Sequence, residues 1–328
     1  MSWDNGLSGV AKRIAASEQS PIRVIAGPGT GKSLVLKRRV ARLLQIGSNP
    51  SDILALTFTR NAAANLVEDL KELGTERSGD IRVGTLHSYC YSLLLKREVL
   101  ERTGRYPRPL LSFRKNAVLQ YEAAPLLQDI IRVTKHGTKR DATRTVDAFE
   151  AAWARLQSQD PGWPESERDR VFHDTLIAWL RFHRAILIGE LVPLALEYLR
   201  NNPACLEMTA FKHVLVDEYQ DLNKADQVLI DLLSASSNKF IVGDPDQSIY
   251  SFRFANPTGI TTFGDTHPGT HDEQLVYCRR CPTRVVELAD RLIRHNYGVS
   301  EPPRLRPYGA NPSGDVSIVQ WKTLEQEA

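Results

Sequence analysis

The residues with the clearest chemistry in this sequence form a glycine-rich turn that ends in a lysine and a serine. They are Ala26, Gly27, Pro28, Gly29, Thr30, Gly31, Lys32 and Ser33. Backbone N–H groups of such a turn can surround phosphate oxygens, and the N-terminus of a following helix adds positive charge. Lys32 is expected to reach the β- and γ-phosphates of a nucleotide, and Ser33 is expected to ligate Mg²⁺. The competing interpretation is a glycine turn without a ligand.

The elements around this turn have the order that a phosphate-binding loop needs. An apolar, β-rich run at 22–26 precedes the turn, and a stretch with helical periodicity at 32–47 follows it. Strand, glycine turn and helix in this order distinguish a phosphate-binding loop from a chance glycine cluster. We therefore predict a phosphate-binding loop at 26–33.

A pair of carboxylates is the second chemical signal. Asp217 and Glu218 follow the apolar run at 213–216. Ligands of parallel α/β sheets bind at the carboxyl ends of the strands, which is where these acids would lie. We expect Asp217 to hold Mg²⁺ and Glu218 to activate an attacking water. Two solvated acids at a strand end are the alternative, which the nearby phosphate loop argues against.

A third polar segment follows the apolar run at 239–242. Its residues are Gly243, Asp244, Pro245, Asp246 and Gln247. Gln247 is placed to sense the γ-phosphate of a bound nucleotide. The spacing alone is equally compatible with a polar turn.

The pattern of predicted strands and helices divides the chain into two kinds of region. Strand and helix patterns alternate up to about residue 96 and again after about residue 206, which predicts an α/β fold with a parallel sheet covered on both faces. Residues 97–205 carry little strand signal and predict a helical insertion. Its helices are predicted at 115–133, 146–157 and 165–200, the last broken near Gly189 and Pro193.

The composition is that of an ordinary globular protein. There are 42 Lys and Arg against 39 Asp and Glu, a net charge of +3, and 42% of residues are hydrophobic. This balance excludes a mostly disordered chain and a histone-like nucleic-acid binder. No apolar run is long enough for a membrane span, and four cysteines do not form a disulfide framework. We expect a cytoplasmic protein without a membrane partner.

Four further segments carry a family resemblance. They are Thr57–Ala63 (TFTRNAA), Gly84–Ser88 (GTLHS), Asp217–Asp221 (DEYQD) and Gly243–Arg253 (GDPDQSIYSFR). Together with the phosphate loop, in this order, they resemble superfamily 1 DNA helicases of the UvrD/Rep type. The resemblance covers nearly the whole chain, most closely at 22–90 and 210–257. It implies a P-loop ATPase that uses ATP and Mg²⁺ and acts on DNA.

The resemblance also implies a domain organisation. Residues 1–96 and 206–271 would form a first RecA-like ATP-binding domain, 97–205 a helical insertion subdomain, and 272–328 the beginning of a second RecA-like domain. The last two family motifs would lie beyond residue 328. One of them supplies an arginine that completes the ATP site, and such an arginine is worth about 10³–10⁵ in rate in related nucleotide hydrolases. A protein partner could supply it.

The family's contacts with DNA fall on identifiable positions. Those positions are Phe58, Thr59, His87, Tyr250, Phe252 and Arg253. The resemblance assigns base stacking to the three aromatic residues and a place near the backbone to His87. Base–aromatic stacking tolerates any sequence, as a translocase requires. The implied partners are single-stranded DNA and the junction with duplex; packing in the core is the alternative for each aromatic residue.

Three positions that hold adenine in the family differ here. The family glutamine ahead of the phosphate loop aligns with Ala11, and the arginine after the lysine and serine or threonine is Leu34. The Asn-Tyr-Arg-Ser motif is Cys278-Arg279-Arg280-Cys281. Arg280 keeps the arginine that touches the γ-phosphate, whereas Arg279 replaces the tyrosine that stacks on adenine. A guanidinium can also stack on a base. Selectivity for ATP is in doubt; triphosphate binding is not.

Two functions follow from these residues. The first is the core of a DNA helicase or translocase that hydrolyses ATP in response to single-stranded DNA, with 3′-to-5′ polarity implied by resemblance alone. The alternative is a nucleotide-gated DNA-binding regulatory subunit that signals to a partner such as a nuclease without unwinding DNA. DNA repair, replication restart, plasmid maintenance and phage defence all remain open as pathways.

Two basic stretches lie in or beside the predicted insertion. The first contains Arg97, Arg102, Arg105, Arg108, Arg114 and Lys115, and the second contains Arg132, Lys135, Lys139, Arg140 and Arg144. Neutralisation of DNA phosphates would explain this bias. A solvated charged surface explains any single residue equally well.

Overall fold

The computed structural model describes residues 2–72, 80–107, 110–111, 120–157, 163–250, 254–297, 304–317 and 319–320. Phe252 and Arg253, two of the expected DNA contacts, lie outside the described residues, as do Arg108, Arg114 and Lys115.

The strands of the described residues are short and rich in β-branched and other apolar side chains. Their bounds are β1 (Ile22–Ala26), β2 (Ile53–Leu56), β3 (Arg82–Gly84), β4 (Leu110–Leu111), β5 (Ile186–Leu187), β6 (His213–Val216), β7 (Asn238–Gly243), β8 (His271–Leu275), β9 (Tyr277–Cys278) and β10 (Arg306–Pro307). Within the described chain, six of them form one parallel sheet in the order β3-β2-β6-β7-β1-β8. This confirms the predicted parallel α/β fold.

The helices cover both faces of the sheet and build the insertion. Their bounds are α1 (Gly9–Ala16), α2 (Lys32–Gln45), α3 (Arg60–Glu72), α4 (Leu86–Leu94), α5 (Arg97–Thr103), α6 (Gln120–Thr134), α7 (Lys139–Ala154), α8 (Glu167–Phe182), α9 (Leu191–Asn201), α10 (Lys224–Leu233), α11 (Thr258–Thr261), α12 (Phe263–Thr266) and α13 (Thr283–Tyr297). None of the helices in the described residues is long and apolar enough to cross a lipid bilayer.

Two apolar cores lie on opposite faces of the sheet. All four residues of β2 are buried, and they alternate between the cores because successive strand side chains point to opposite faces. Leu54 and Leu56 join α4, α9 and α10, whereas Ile53 and Ala55 join α1, α2 and α3. Coverage on both faces explains why β2 reads as an apolar run without polar alternation.

The insertion has a core of its own, built by α6, α7 and α8. The predicted helix over 165–200 is two helices, because α8 ends at Phe182 and α9 begins at Leu191. Between them β5 pairs in parallel with β4, which takes Ile186 and Leu187 out of helical geometry. The predicted break near Gly189 is therefore correct in place, and strand pairing just before it ends the helical geometry. The break predicted near Pro193 is wrong, because Pro193 lies in the first turn of α9, where proline is tolerated.

The strand β8 corrects the predicted domain boundary. It pairs with β1 along its whole length, from His271 beside Ile22 to Leu275 beside Ala26. The boundary at residue 272 falls inside this strand, so the first sheet continues to residue 275. The next strand, β9, pairs with β10 in a separate two-stranded sheet of the described residues. The rest of the domain division stays a prediction.

Candidate active site

The glycine-rich loop connects β1 to α2 at the carboxyl edge of the sheet. Gly29 and Gly31 have φ angles of +69° and +97°, in the left-handed region that favours glycine. A Cβ on Gly29 would come within 2.8 Å of the Sγ of Cys278 and the Cβ of Arg280. The loop therefore requires glycine at position 29 both for its backbone angle and for its close contact with the segment after β9.

The first turn of α2 directs two side chains at the acids that follow β6. The Nζ of Lys32 donates to Oε2 of Glu218 at 3.0 Å, and Lys32 is only 8% exposed. The Oγ of Ser33 donates to Oδ2 of Asp217 at 3.3 Å. The fold thus brings together four of the predicted site residues from two distant segments. Parallel strands place their carboxyl ends at one edge, which is the physical reason for this meeting.

Burial changes the acid–base properties of the first carboxylate. Burial and then the negative charge of Glu218 raise the pKa of Asp217 to about 6. A divalent cation beside this carboxylate would offset both effects. Asp217 and Ser33 offer the hard oxygen ligands that Mg²⁺ prefers, and Mg²⁺ commonly uses only one or two protein ligands beside substrate phosphates. The residues present therefore fit a magnesium ion carried by a nucleotide.

Glu218 is held in an unusual backbone conformation. Its φ is +51°, in the left-handed region, which costs a non-glycine residue roughly 1–2 kcal/mol. Its Oε2 also accepts a hydrogen bond from Nε2 of Gln220 at 2.9 Å. Strained residues that neighbouring groups hold in place often belong to functional sites. Glu218 is thus a fixed acceptor with two donors, Lys32 and Gln220.

Gln220 connects the acids to the segment after β7, a role that the sequence did not reveal. Its side chain is 1% exposed, and its Oε1 accepts from the backbone N–H of Asp244 at 2.9 Å. Asp244 in turn accepts from Nε2 of Gln247 at 2.6 Å. A Cβ on Gly243 would lie only 2.3 Å from Oε1 of Gln220. In the sequence, the place of Gln220 within DEYQD was the signal that could have pointed to it.

Gln247 therefore reaches the acids indirectly. Its amide bonds to Asp244, and the path continues through Gln220 to Glu218. We refer to these four residues as the amide relay. Whether Gln247 senses a γ-phosphate stays a prediction.

Replacing Gln220 by leucine should separate the two ends of the amide relay. The backbone N–H of Asp244 would lose its buried acceptor, so the free energy of unfolding should fall by about 1–3 kcal/mol. The family resemblance implies an ATPase that responds to single-stranded DNA, and for such an enzyme the ratio of hydrolysis rates with and without DNA should fall towards one. Steady-state hydrolysis and urea denaturation measure the two effects.

Gln227→Leu is the matched control for this substitution. Gln227 is also buried, and its amide bonds to Asn256 and Leu222, away from the acids. This variant should lose stability while keeping the DNA stimulation ratio. An equal fall of that ratio in both variants would mean that Gln220 acts only through stability.

The arginine pair after β9 flanks the loop from the other side. The backbone N–H of Arg279 donates to the carbonyl of Gly29 at 2.9 Å. Its guanidinium lies over the ring of Tyr308, 4.5 Å from the centroid, and donates to Oγ of Ser8 at 3.4 Å. Arg280 follows with its backbone against Gly29. The residue expected to stack on a base is thus part of a cation–π pair.

Tyr308 was not predicted from the sequence. It lies in the proline-containing connector after α13, and its only signal there was an aromatic residue among prolines and arginines. Ala11, which aligns with the family's adenine-reading glutamine, packs against the apolar core instead. Leu34 lies in the first turn of α2. Neither residue offers a polar side chain to a base.

An aromatic pair lies at the ends of the segments expected to contact DNA. The ring centroids of Phe58 and Tyr250 are 4.9 Å apart, with 43° between the ring planes. Phe58 is partly buried and also packs against an apolar core, so its position is compatible with both base stacking and core packing. His87 is exposed on the first turn of α4. Thr59 has a structural role, because its Oγ1 accepts from the N–H of Ala62 at the start of α3.

No cluster of three or more His, Cys, Asp or Glu side chains suited to a metal ion occurs among the described residues.

Comparison with known proteins identifies similar chains. A family model described as UvrD/REP helicase N-terminal domain matches residues 8–268. The ATP-dependent DNA helicase PcrA of Leuconostoc citreum is 29% identical over 99% of this chain and 43% of its own length. PcrA proteins of Staphylococcus epidermidis and Staphylococcus aureus are 28% and 26% identical over 94% of this chain and 42% of their own lengths. The chain therefore spans about two fifths of these relatives.

Proposed function

This chain belongs to the UvrD/REP helicase family, and we propose that it is the ATP- and DNA-binding core of a DNA helicase or translocase that hydrolyses ATP in response to single-stranded DNA. The observation that carries the proposal is the contact of Lys32 and Ser33 with Glu218 and Asp217. This arrangement joins a phosphate loop to two carboxylates, which is the set that phosphoryl transfer to water requires. The ATP-binding domain would comprise residues 1–96, helix α9 and residues 206–275, because α9 packs in the same core as β2, α4 and α10.

The roles of the side chains follow from their positions. Lys32 would bind the β- and γ-phosphates, and Ser33 and Asp217 would hold Mg²⁺, which neutralises charge on the phosphates. Phosphates would compete with Glu218 for the ammonium group of Lys32. Glu218 would then keep its bond to Gln220 and become available to take a proton from the attacking water.

The arginine pair would contact both ends of the nucleotide. Arg280 would contact the γ-phosphate, and Arg279 with Tyr308 would provide a planar surface for the base. A guanidinium stacked on an aromatic ring offers no hydrogen bonds specific to adenine. We therefore propose that the site selects strongly for a triphosphate and only weakly for the base.

The amide relay is the proposed route between nucleotide and DNA. It begins at Glu218 and ends at Gln247, three positions before Tyr250. A base that stacks on Phe58 and Tyr250 would shift the segment 247–250, and the relay would pass that shift to Glu218. The proposed partners are single-stranded DNA and its junction with duplex.

ATP hydrolysis by this chain, with and without single-stranded DNA, tests the proposal. Turnover that rises with DNA and disappears in Glu218→Gln would support it. Tight binding of ATP and DNA without turnover would instead support a nucleotide-gated regulatory subunit, or a core that needs an arginine from a protein partner. Restoration of turnover by a partner would separate these two cases.

Phe58→Ala and Tyr250→Ala should weaken binding of single-stranded DNA. Loss of base–aromatic stacking should cost about 1–3 kcal/mol per stacked base, with nucleotide affinity unchanged. Fluorescence anisotropy with a labelled oligothymidylate measures the change. Ile249→Ala is the matched control, because Ile249 is 71% exposed beside Tyr250 but has no ring. Equal DNA affinity in all three variants would place the stacking site elsewhere.

A further inference from the structure

The end of α8 carries exposed aromatic and basic side chains that the proposed function does not use. Phe182 is 84% exposed, more than any other large apolar side chain of the described residues. The buried face of the same helix is formed by Phe172, Leu176 and Leu180, spaced four residues apart. Phe182 is turned roughly 200° around the helix axis from Leu180, so it points away from the insertion core.

A series of ring contacts connects Phe182 to the rest of the insertion. The ring of His183 packs against Trp179 with centroids 4.0 Å apart and ring planes tilted by 31°, and it meets Phe182 edge-on at 4.9 Å. The indole N–H of Trp179 donates to Asp129 at 2.9 Å, which fixes the first ring of the series. Phe182 is therefore the outermost member of an ordered set of rings. Such a set offers a flat face at low cost in side-chain entropy.

Two arginines flank Phe182 and His183 in the sequence at the end of α8. They are Arg181 and Arg184, and neither forms an ion pair among the described residues. Arg184 has a φ of +51°, a left-handed position after a helix where glycine is usual. Its guanidinium lies over the ring of Tyr106 at 5.5 Å. The end of α8 thus carries two cations next to the exposed aromatic residue in sequence.

A polar cavity continues from the same surface. Its volume is about 480 Å³, and Arg181 and Arg102 line it together with Asn201 and Asn202. Glu197 is the acid in its wall, and the third arginine there, Arg105, is already paired with Glu190. Arg181 and Arg102 form no ion pair in the part of the chain that the structure describes, so two guanidinium groups beside one carboxylate leave a positive excess. We call the aromatic face and this cavity wall the α8 patch.

We propose that the α8 patch is a second binding site for single-stranded nucleic acid, in which Phe182 stacks on an unpaired base and Arg181, Arg184 and Arg102 bind phosphates. Exposed aromatic rings among cations are the recognition chemistry of single strands, because every base has a stacking face and every nucleotide a phosphate. Duplex bases already stack on each other and present no free face to Phe182. The site lies in the insertion, apart from the Phe58–Tyr250 pair.

Binding without any nucleotide triphosphate tests this proposal. In the Phe58→Ala, Tyr250→Ala double variant, which removes the other stacking site, Phe182→Leu should bind an oligothymidylate between about 5-fold and 150-fold more weakly, the factor that corresponds to one stacked base. Phe182→Trp should restore the affinity, and binding of a duplex of equal length should not change. The substitutions should preserve the fold because the side chain is exposed. Leu206→Ala, which removes another side chain that is 77% exposed, is the control and should leave affinity unchanged.

Two further measurements identify the site directly. Log affinity falls as log salt concentration rises, and Arg181→Gln should make this negative slope shallower by about 0.7, the value for one phosphate contact on a single strand. An oligonucleotide with 5-iodouracil should cross-link to the peptide that contains Phe182, also in the Phe58→Ala, Tyr250→Ala double variant. Oligouridylate in the same assays shows whether the strand is DNA or RNA; either would support the site.

Three results would overturn the proposal. They are unchanged affinity in Phe182→Leu, equal loss of single-strand and duplex binding, and cross-links confined to residues outside the insertion. Because the assays contain no triphosphate, they do not depend on ATP turnover. A chain without ATPase activity but with these cross-links would contradict the proposed function and leave the α8 patch supported.

Discussion

Glu218→Gln is expected to lower the ATPase rate by about 10²–10⁴, the usual contribution of a positioned general base. Glutamine has the shape of glutamate but cannot accept a proton from water. The amide can still hydrogen-bond with Gln220, so the local structure should persist. Single-turnover and steady-state phosphate release, with and without single-stranded DNA, measure the change.

Nucleotide affinity is the internal control for this variant. Glu218 now accepts from Lys32 at 3.0 Å, so removal of its charge should leave Lys32 easier to recruit to phosphates. ATP should therefore bind as tightly as in the unaltered chain, or more tightly. A variant that binds ATP normally and still hydrolyses it at the original rate would show that Glu218 is not the base.

Arg105→Leu is expected to lower the free energy of unfolding by about 3–5 kcal/mol, the usual cost of removing one partner from a buried ion pair. The side chains of Arg105 and Glu190 are 4% and 5% exposed. Nη1 of Arg105 donates to Oε1 of Glu190 at 3.0 Å, and Nη2 donates to Oε2 at 2.6 Å. Nε and Nη2 also donate to the carbonyl of Ala185. The variant would leave Glu190 buried without its cation.

Urea denaturation followed by circular dichroism measures this loss. Arg97→Leu is the matched control, because Arg97 pairs with Glu101 where the side chains are 93% and 63% exposed. That exposed pair should contribute at most about 1 kcal/mol. The double variant Arg105→Leu, Glu190→Leu should recover part of the loss. A loss no larger than in Arg97→Leu would mean that water reaches Glu190.

The sequence by itself determined the local chemistry of this protein. The phosphate loop at 26–33, the acids Asp217 and Glu218 and the parallel α/β class followed from residue order and apolar runs. Such signals are readable because a phosphate loop is one continuous strand, turn and helix. The family also followed from motif order, and the match to the UvrD/REP helicase N-terminal domain confirms it.

Only the tertiary structure decided which distant segments meet. The contact between Lys32 and Glu218, the path through Gln220, and the pairing of Arg279 with Tyr308 join segments that no local pattern connects. The predicted domain boundary fell inside strand β8, because the residues His271–Leu275 do not reveal which strand they pair with, and the pairing with β1 assigns them to the first sheet. Strand order is a property of long-range packing, and it placed these side chains at one edge of the sheet.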